Sequence, residues 1–155
     1  MNAYVNQYQN SQILNASPEQ ILVMLYDGAI RFCRQAKMAM ETGNKLVQAE
    51  KISRTMAIVS EFSNSLDREV GGEIAEDLDA LYDFMIRELT RAGRESDQKA
   101  LETVDVLLSD LRGTWVEAIE INRKVSVPKS AAKTSTGYGA APGSETEMKP
   151  FAVSM

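Results

Sequence analysis

Apolar residues recur at helical spacing in four stretches between Pro18 and Ile121, each closed by a glycine or a capping residue. The first stretch starts at Ser17, with Pro18 at the first helical position, Glu19 at the positive helix end and Gln20 completing a Ser-x-x-Gln capping box. Leu22, Leu25, Ala29, Phe32 and Ala36 then mark one face, and Gly43-Asn44 ends the run. A second helix, expected over about 45–70, aligns Ala49, Ile52, Met56, Val59, Leu66 and Val70, and Gly71-Gly72 breaks it. A third, about 73–92, aligns Ile74, Leu78, Leu81, Met85 and Leu89 and stops at Gly93. Ser96 or Asp97 caps a fourth, whose stripe is Leu101, Val104, Leu108, Leu111, Trp115 and Ala118.

Short connections put sequence neighbours antiparallel, so the pattern predicts an all-α, up-down-up-down four-helix bundle over 17–123. Residues 1–16 are polar and Asn/Gln-rich and read as a flexible arm. Residues 124–155 mix Pro, Gly, Ser, Thr and Ala without an apolar period and read as a disordered tail.

The helices carry more apolar residues than one seam requires. Val23, Tyr26 and Ile30 form a second row on the first helix; Ile58 and Phe62 flank the second, Tyr82 and Ile86 the third, and Val106 and Leu107 the fourth. Two readings are open: a wide core margin, or a groove that accepts an amphipathic helix from a partner. The groove reading expects a charged residue at Ile58, Phe62 or Leu107 to weaken partner binding more than stability. The same change at Leu108 or Trp115 should unfold the bundle.

Charge and chemistry narrow the function. Residues 1–123 hold 13 Lys and Arg against 20 Asp and Glu, and the rest of the chain 4 against 2. An acidic body argues against nucleic acid as the main partner. The chain has no histidine and a single cysteine, Cys33, so no internal disulfide forms and a reducing cytoplasm fits. No secretory signal or membrane-spanning run is apparent. Metal binding is a poor reading without histidine, no cofactor is expected, and no carboxylate pair marks a catalytic cleft, so an enzyme is not expected. The acidic run Glu73, Glu76, Asp77, Asp79 and Asp83 reads as a solvated face. Gly28, in mid-helix, reads as allowing close helix approach.

The wording of the sequence adds a resemblance. Ala16-Ser17-Pro18-Glu19-Gln20-Ile21-Leu22 and Met24-Leu25-Tyr26-Asp27-Gly28-Ala29-Ile30-Arg31-Phe32 resemble the opening helix of the flagellin export chaperone family FliS, as does Tyr8-Gln9-Asn10-Ser11 upstream. Ser65-Leu66-Asp67, Gly71-Gly72-Glu73-Ile74-Ala75, Leu78 to Met85, and Leu107-Leu108 with Leu111-Arg112, Trp115 and Ala118-Ile119 follow in order. The resemblance covers about Tyr4 to Ile121. Asp77 stands where many relatives carry Asn, and Phe84 where many carry Tyr.

The resemblance implies an antiparallel four-helix bundle that binds the C-terminal segment of flagellin. It also implies that this segment is kept from premature polymerisation in the cytoplasm and delivered to the flagellar export apparatus. Tyr8 matches a family arm tyrosine that packs near the groove, with Tyr4 and Leu14 as further arm contacts. The groove candidates are Tyr26, Ile30, Ile58, Phe62, Tyr82, Ile86, Val106 and Leu107. The chain without its guest is expected to be a monomer or weak homodimer. The alternative is a helical module that pairs with another copy of itself.

Overall fold

The computed structural model describes residues 15–136, with side-chain surroundings through 125. Tyr4, Tyr8 and Leu14 lie outside the described residues. The helices are α1 (Pro18–Glu41), α2 (Lys45–Asn64), α3 (Arg68–Glu95) and α4 (Gln98–Thr136). Each packs on its sequence neighbours and α4 closes on α1, which gives the antiparallel four-helix bundle that the periodicity predicts.

The first helix begins as its capping box dictates. Gln20 N–H donates to Ser17 Oγ at 3.2 Å, and Ser17 N–H donates to Gln20 Oε1 at 2.8 Å. It ends on a left-handed Gly43 (φ 75°), where Asn44 N–H reaches back to the Ala39 carbonyl at 2.8 Å.

The α2–α3 boundary differs from the expectation. Helix α2 stops at Asn64, and Asp67 caps α3 by accepting from Glu69 N–H and Val70 N–H at 3.1 and 3.0 Å. Leu66 and Val70 had continued the α2 period, which masked the cap. Gly71-Gly72 lies inside α3 and kinks it, because Gly72 takes φ 52°, open to glycine without strain. Helix α3 also runs through Gly93 to Glu95. The next turn holds Ser96 at φ 51°, and Lys45 Nζ and Gln48 Nε2 donate to its Oγ at 2.8 and 3.2 Å. Asp97 rather than Ser96 caps α4, accepting from Lys99 N–H at 2.9 Å.

Helix α4 continues to Thr136, past the position near 124 where the sequence reading ended the bundle. Its ladder crosses Pro128, which has no N–H to contribute.

The core is alanine-spaced. Ala29, Ala36, Ala92 and Ala100 let the helices approach, and Val59, Met85, Leu89, Leu101, Val104 and Leu108 fill between them. Along the α1–α4 edge, Arg34 forks onto Asp105 (2.8 and 3.1 Å), Lys37 pairs with Glu102 (2.8 Å) and Arg112 pairs with Asp27. Exposed pairs of this kind contribute about 0–1 kcal/mol each, so they fix alignment more than stability.

Two positions yield direct expectations. Gly28 is buried, yet a Cβ built there meets Ile58 Cδ1 at 3.5 Å and Arg31 Nη2 at 3.8 Å, both ordinary contacts. Close approach therefore does not require glycine. Gly28→Ala should raise unfolding free energy by up to about 1 kcal/mol through helix propensity, read as a higher urea midpoint.

The Cys33 thiol is buried, donates to the Leu101 carbonyl at 3.3 Å, and is pushed up to about 12 by desolvation and by the nearby Asp105 charge. A raised folded value means stability is full below the ordinary thiol range and falls as pH climbs from about 9 toward 12, where only the unfolded chain ionises. Cys33→Ala should flatten that decline in urea titrations across the same window.

Candidate functional site

The groove predicted from the second rows is not assembled in one place. Tyr26, Phe62 and Tyr82 are at most 1% exposed and Ile30 is 8% exposed, so these four build the core instead. The reason is geometric. A helix in a four-membered ring faces two neighbours and the diagonal, so residues well off a single seam are still enclosed.

The aromatic residues form a buried node. Tyr26 stacks on Phe62 at 4.3 Å and 18°, and Phe62 tilts onto Tyr82 at 5.5 Å. The Tyr26 and Tyr82 hydroxyls share a hydrogen bond of 2.7 Å, and Trp115 Nε1–H donates to Tyr26 Oη at 3.1 Å. Burial pushes both phenols above the usual tyrosine range, so the node stays neutral. Tyr82→Phe removes a partner from a buried hydroxyl and should cost about 1–3 kcal/mol. Equilibrium denaturation would measure it.

The other candidates are dispersed. Ile58 is half-buried against Gly28. Ile86 borders a polar cleft of about 690 Å³ between α2 and α3, beside Ser63, Arg68 and Asp79. There the Ser63 hydroxyl donates to Asp79 at 2.5 Å and Arg68 pairs with it at 2.8 Å; together they hold the carboxyl below its usual range. Val106 and Leu107 flank a shallow depression of about 370 Å³ near the start of α4.

Among the described residues, Met38, Leu46 and Val106 are exposed toward one end of the bundle, while Met24, Val70, Ile74, Val116, Ile121 and Val125 lie toward the other, where α1 begins, α2 ends, α3 begins and α4 runs on. A cleft of about 750 Å³ opens there over Ile21, Leu25 and Leu66, rimmed by Glu61, Asp67, Arg68 and Glu69. A second cleft, about 530 Å³, lies between α1 and α4 over Val23, Met24, Val116 and Ile119. Val70 and Ile74, on the first turns of α3, are 59% and 64% exposed, and Ile121 of α4 is 56% exposed.

Val23 stands in the second row read from the sequence, but Ile74 escaped because it belongs to the core-facing stripe Ile74-Leu78-Leu81-Met85. Periodicity shows which face a residue is on, and not that the helix overhangs its neighbours. The one available signal was the cap at Asp67, which starts α3 earlier than Gly71-Gly72 suggests.

Among the described residues no group of three or more His, Cys, Asp or Glu could hold a metal ion, and no helix is long and apolar enough to cross a membrane.

Known proteins with this pattern are consistent with one another. The sequence model of the family described as flagellar protein FliS matches residues 1–122. The flagellar secretion chaperone FliS of Salmonella typhimurium is 36% identical over 129 residues, covering 83% of this chain and 93% of that one. Its namesake from Vibrio cholerae is 36% identical over 115 residues (74% and 85%), and that of Bacillus subtilis 31% over 117 (76% and 86%). A solved structure described as a flagellar chaperone from bacteria superposes with a TM-score of 0.63 at 18% identity, covering 75% of this chain and 97% of that one, a likeness of fold.

Proposed function

This chain belongs to the FliS family of flagellar secretion chaperones, and on that premise we propose that it holds the C-terminal segment of flagellin on the uncovered apolar end of its bundle. The family is one of chaperones, which is not an enzyme class. The observation that carries the reading is the exposure of Val70 and Ile74 on a core-type stripe, beside a mainly apolar cleft and a second cleft with an apolar floor and a charged rim.

Surface of that kind is costly to leave in water, and a guest helix removes it. A guest segment without structure of its own gains helix as it lands, burying roughly 1,000–3,000 Å² against an ordering cost of about 2–5 kcal/mol. The faces that would join flagellin subunits into a filament are then hidden, in the cytoplasm, until delivery to the export apparatus. No nucleotide enters the scheme, since affinity alone does the holding.

Calorimetric titration with a flagellin C-terminal peptide, followed in parallel by far-ultraviolet circular dichroism, tests the reading. A one-to-one complex with a gain of helix beyond the sum of the parts is expected. No heat and no added helicity would refute it. A concentration-dependent dimer indifferent to the peptide would instead support a self-pairing module that uses the same apolar end.

A further inference from the structure

A second surface lies away from that end, on the outer face of α1 and α2. Phe32 was expected to point to the core, but its ring is only half-buried and three cations converge on it. Arg31 Cζ, Lys51 Nζ and Arg54 Cζ stand 5.1, 5.4 and 5.7 Å from the ring centroid.

Cation–π attraction accounts for one or two of them, since a ring has two faces. It does not account for three. By those distances no two of the charges are more than about 11 Å apart, at most about one and a half screening lengths at physiological salt, so they still repel one another. Among the described residues only Arg54 has an ion pair, with Glu50 at 3.2 Å; Arg31 and Lys51 have none. Heads covering the ring only with their aliphatic stems would turn outward to water or to acids, which this body has in excess. The result is a local cationic, aromatic-centred patch on an otherwise acidic protein.

We infer that this face docks a short acidic segment of a second protein, its carboxylates on Arg31, Lys51 and Arg54 and one apolar side chain on Phe32. The charge balance selects a short acidic peptide over nucleic acid. A polyanion longer than the patch runs onto surface of its own sign, whereas a few carboxylates meet chiefly the three cations, with Glu50 on Arg54 at the edge. The patch sits about 12 Å along α1 from Met24 at 1.5 Å per residue, and on the α2 side rather than the α4 side. Guest and acidic segment therefore bind together.

The test uses the full chain and a short fluorescent Asp/Glu peptide containing one phenylalanine, with the matching Asn/Gln peptide as control. Anisotropy should show binding that weakens as salt rises, and NMR shifts should centre on the Phe32 ring. Reversing both free cations (R31E with K51E) should weaken binding at least about tenfold. The single neutral variants R31Q and K51Q should each weaken it a few-fold while the circular dichroism melt is unchanged. A saturating flagellin peptide should leave the affinity as it was.

Absence of binding, equal binding of the Asn/Gln peptide, tighter binding of a single-stranded oligonucleotide, or displacement by the flagellin peptide would each overturn the inference. Because the acidic peptide is titrated without flagellin, its failure and a failure of the chaperone reading are separately visible.

Discussion

Aspartate in place of Phe62 is expected to leave no cooperatively folded bundle. The ring is 1% exposed, stacked on Tyr26 and tilted onto Tyr82. Truncating such a ring costs about 3–5 kcal/mol, and a carboxylate buried without a partner adds several more. A domain of this size has only about 5–15 kcal/mol to lose. Thermal and urea melts should therefore lose their sigmoid, while Phe62→Leu keeps a cooperative transition at lower midpoint. A folded Phe62→Asp protein that had lost only guest binding would restore Phe62 to a surface groove, as the sequence alone suggested.

The second large effect is the reverse in kind. Ile74→Asp should leave unfolding free energy within about 0.5 kcal/mol, because the side chain is 64% exposed and the new charge falls just after the Gly72 kink, at the start of the main α3 segment. Affinity for the flagellin peptide should fall about tenfold or more, since burying an isoleucine supplies about 1.5–3 kcal/mol in full and an aspartate must also be desolvated. Val70→Asp should behave alike. Wild-type affinity in both variants would remove the first turns of α3 from the binding surface.

The contrast between Phe62 and Ile74 shows what the sequence could convey. The capping box at Ser17, the stop at Gly43 and the core residues Leu89, Leu101, Val104 and Leu108 follow from local rules that tertiary contacts reinforce, so they were readable in advance. The assignment of surplus apolar residues was not. Phe62 and Tyr82 lie off a single seam, yet two neighbours and the diagonal enclose them; Ile74 lies on the seam, yet no described helix covers it.

Burial depends on where each helix begins relative to its partners, and that offset is set by turns whose signals were obscured. Leu66 and Val70 carried the α2 period across the Asp67 cap, so the start of α3, and with it the overhang, went unseen. Phe32 illustrates the same limit in another form. Its position in the heptad-like stripe says nothing of the three cations that two helices bring over it.

The central claim is that the guest lies on the end of the bundle where α1 and α3 begin. Methyl-resolved NMR of the full chain, titrated with the flagellin C-terminal peptide, reads this most directly. The account predicts the largest shifts at Val70, Ile74, Met24 and Val116, with Leu89 and Leu101 in the mid-bundle core nearly unmoved. Shifts concentrated at Val106 and Leu107, with the apolar end silent, would contradict it.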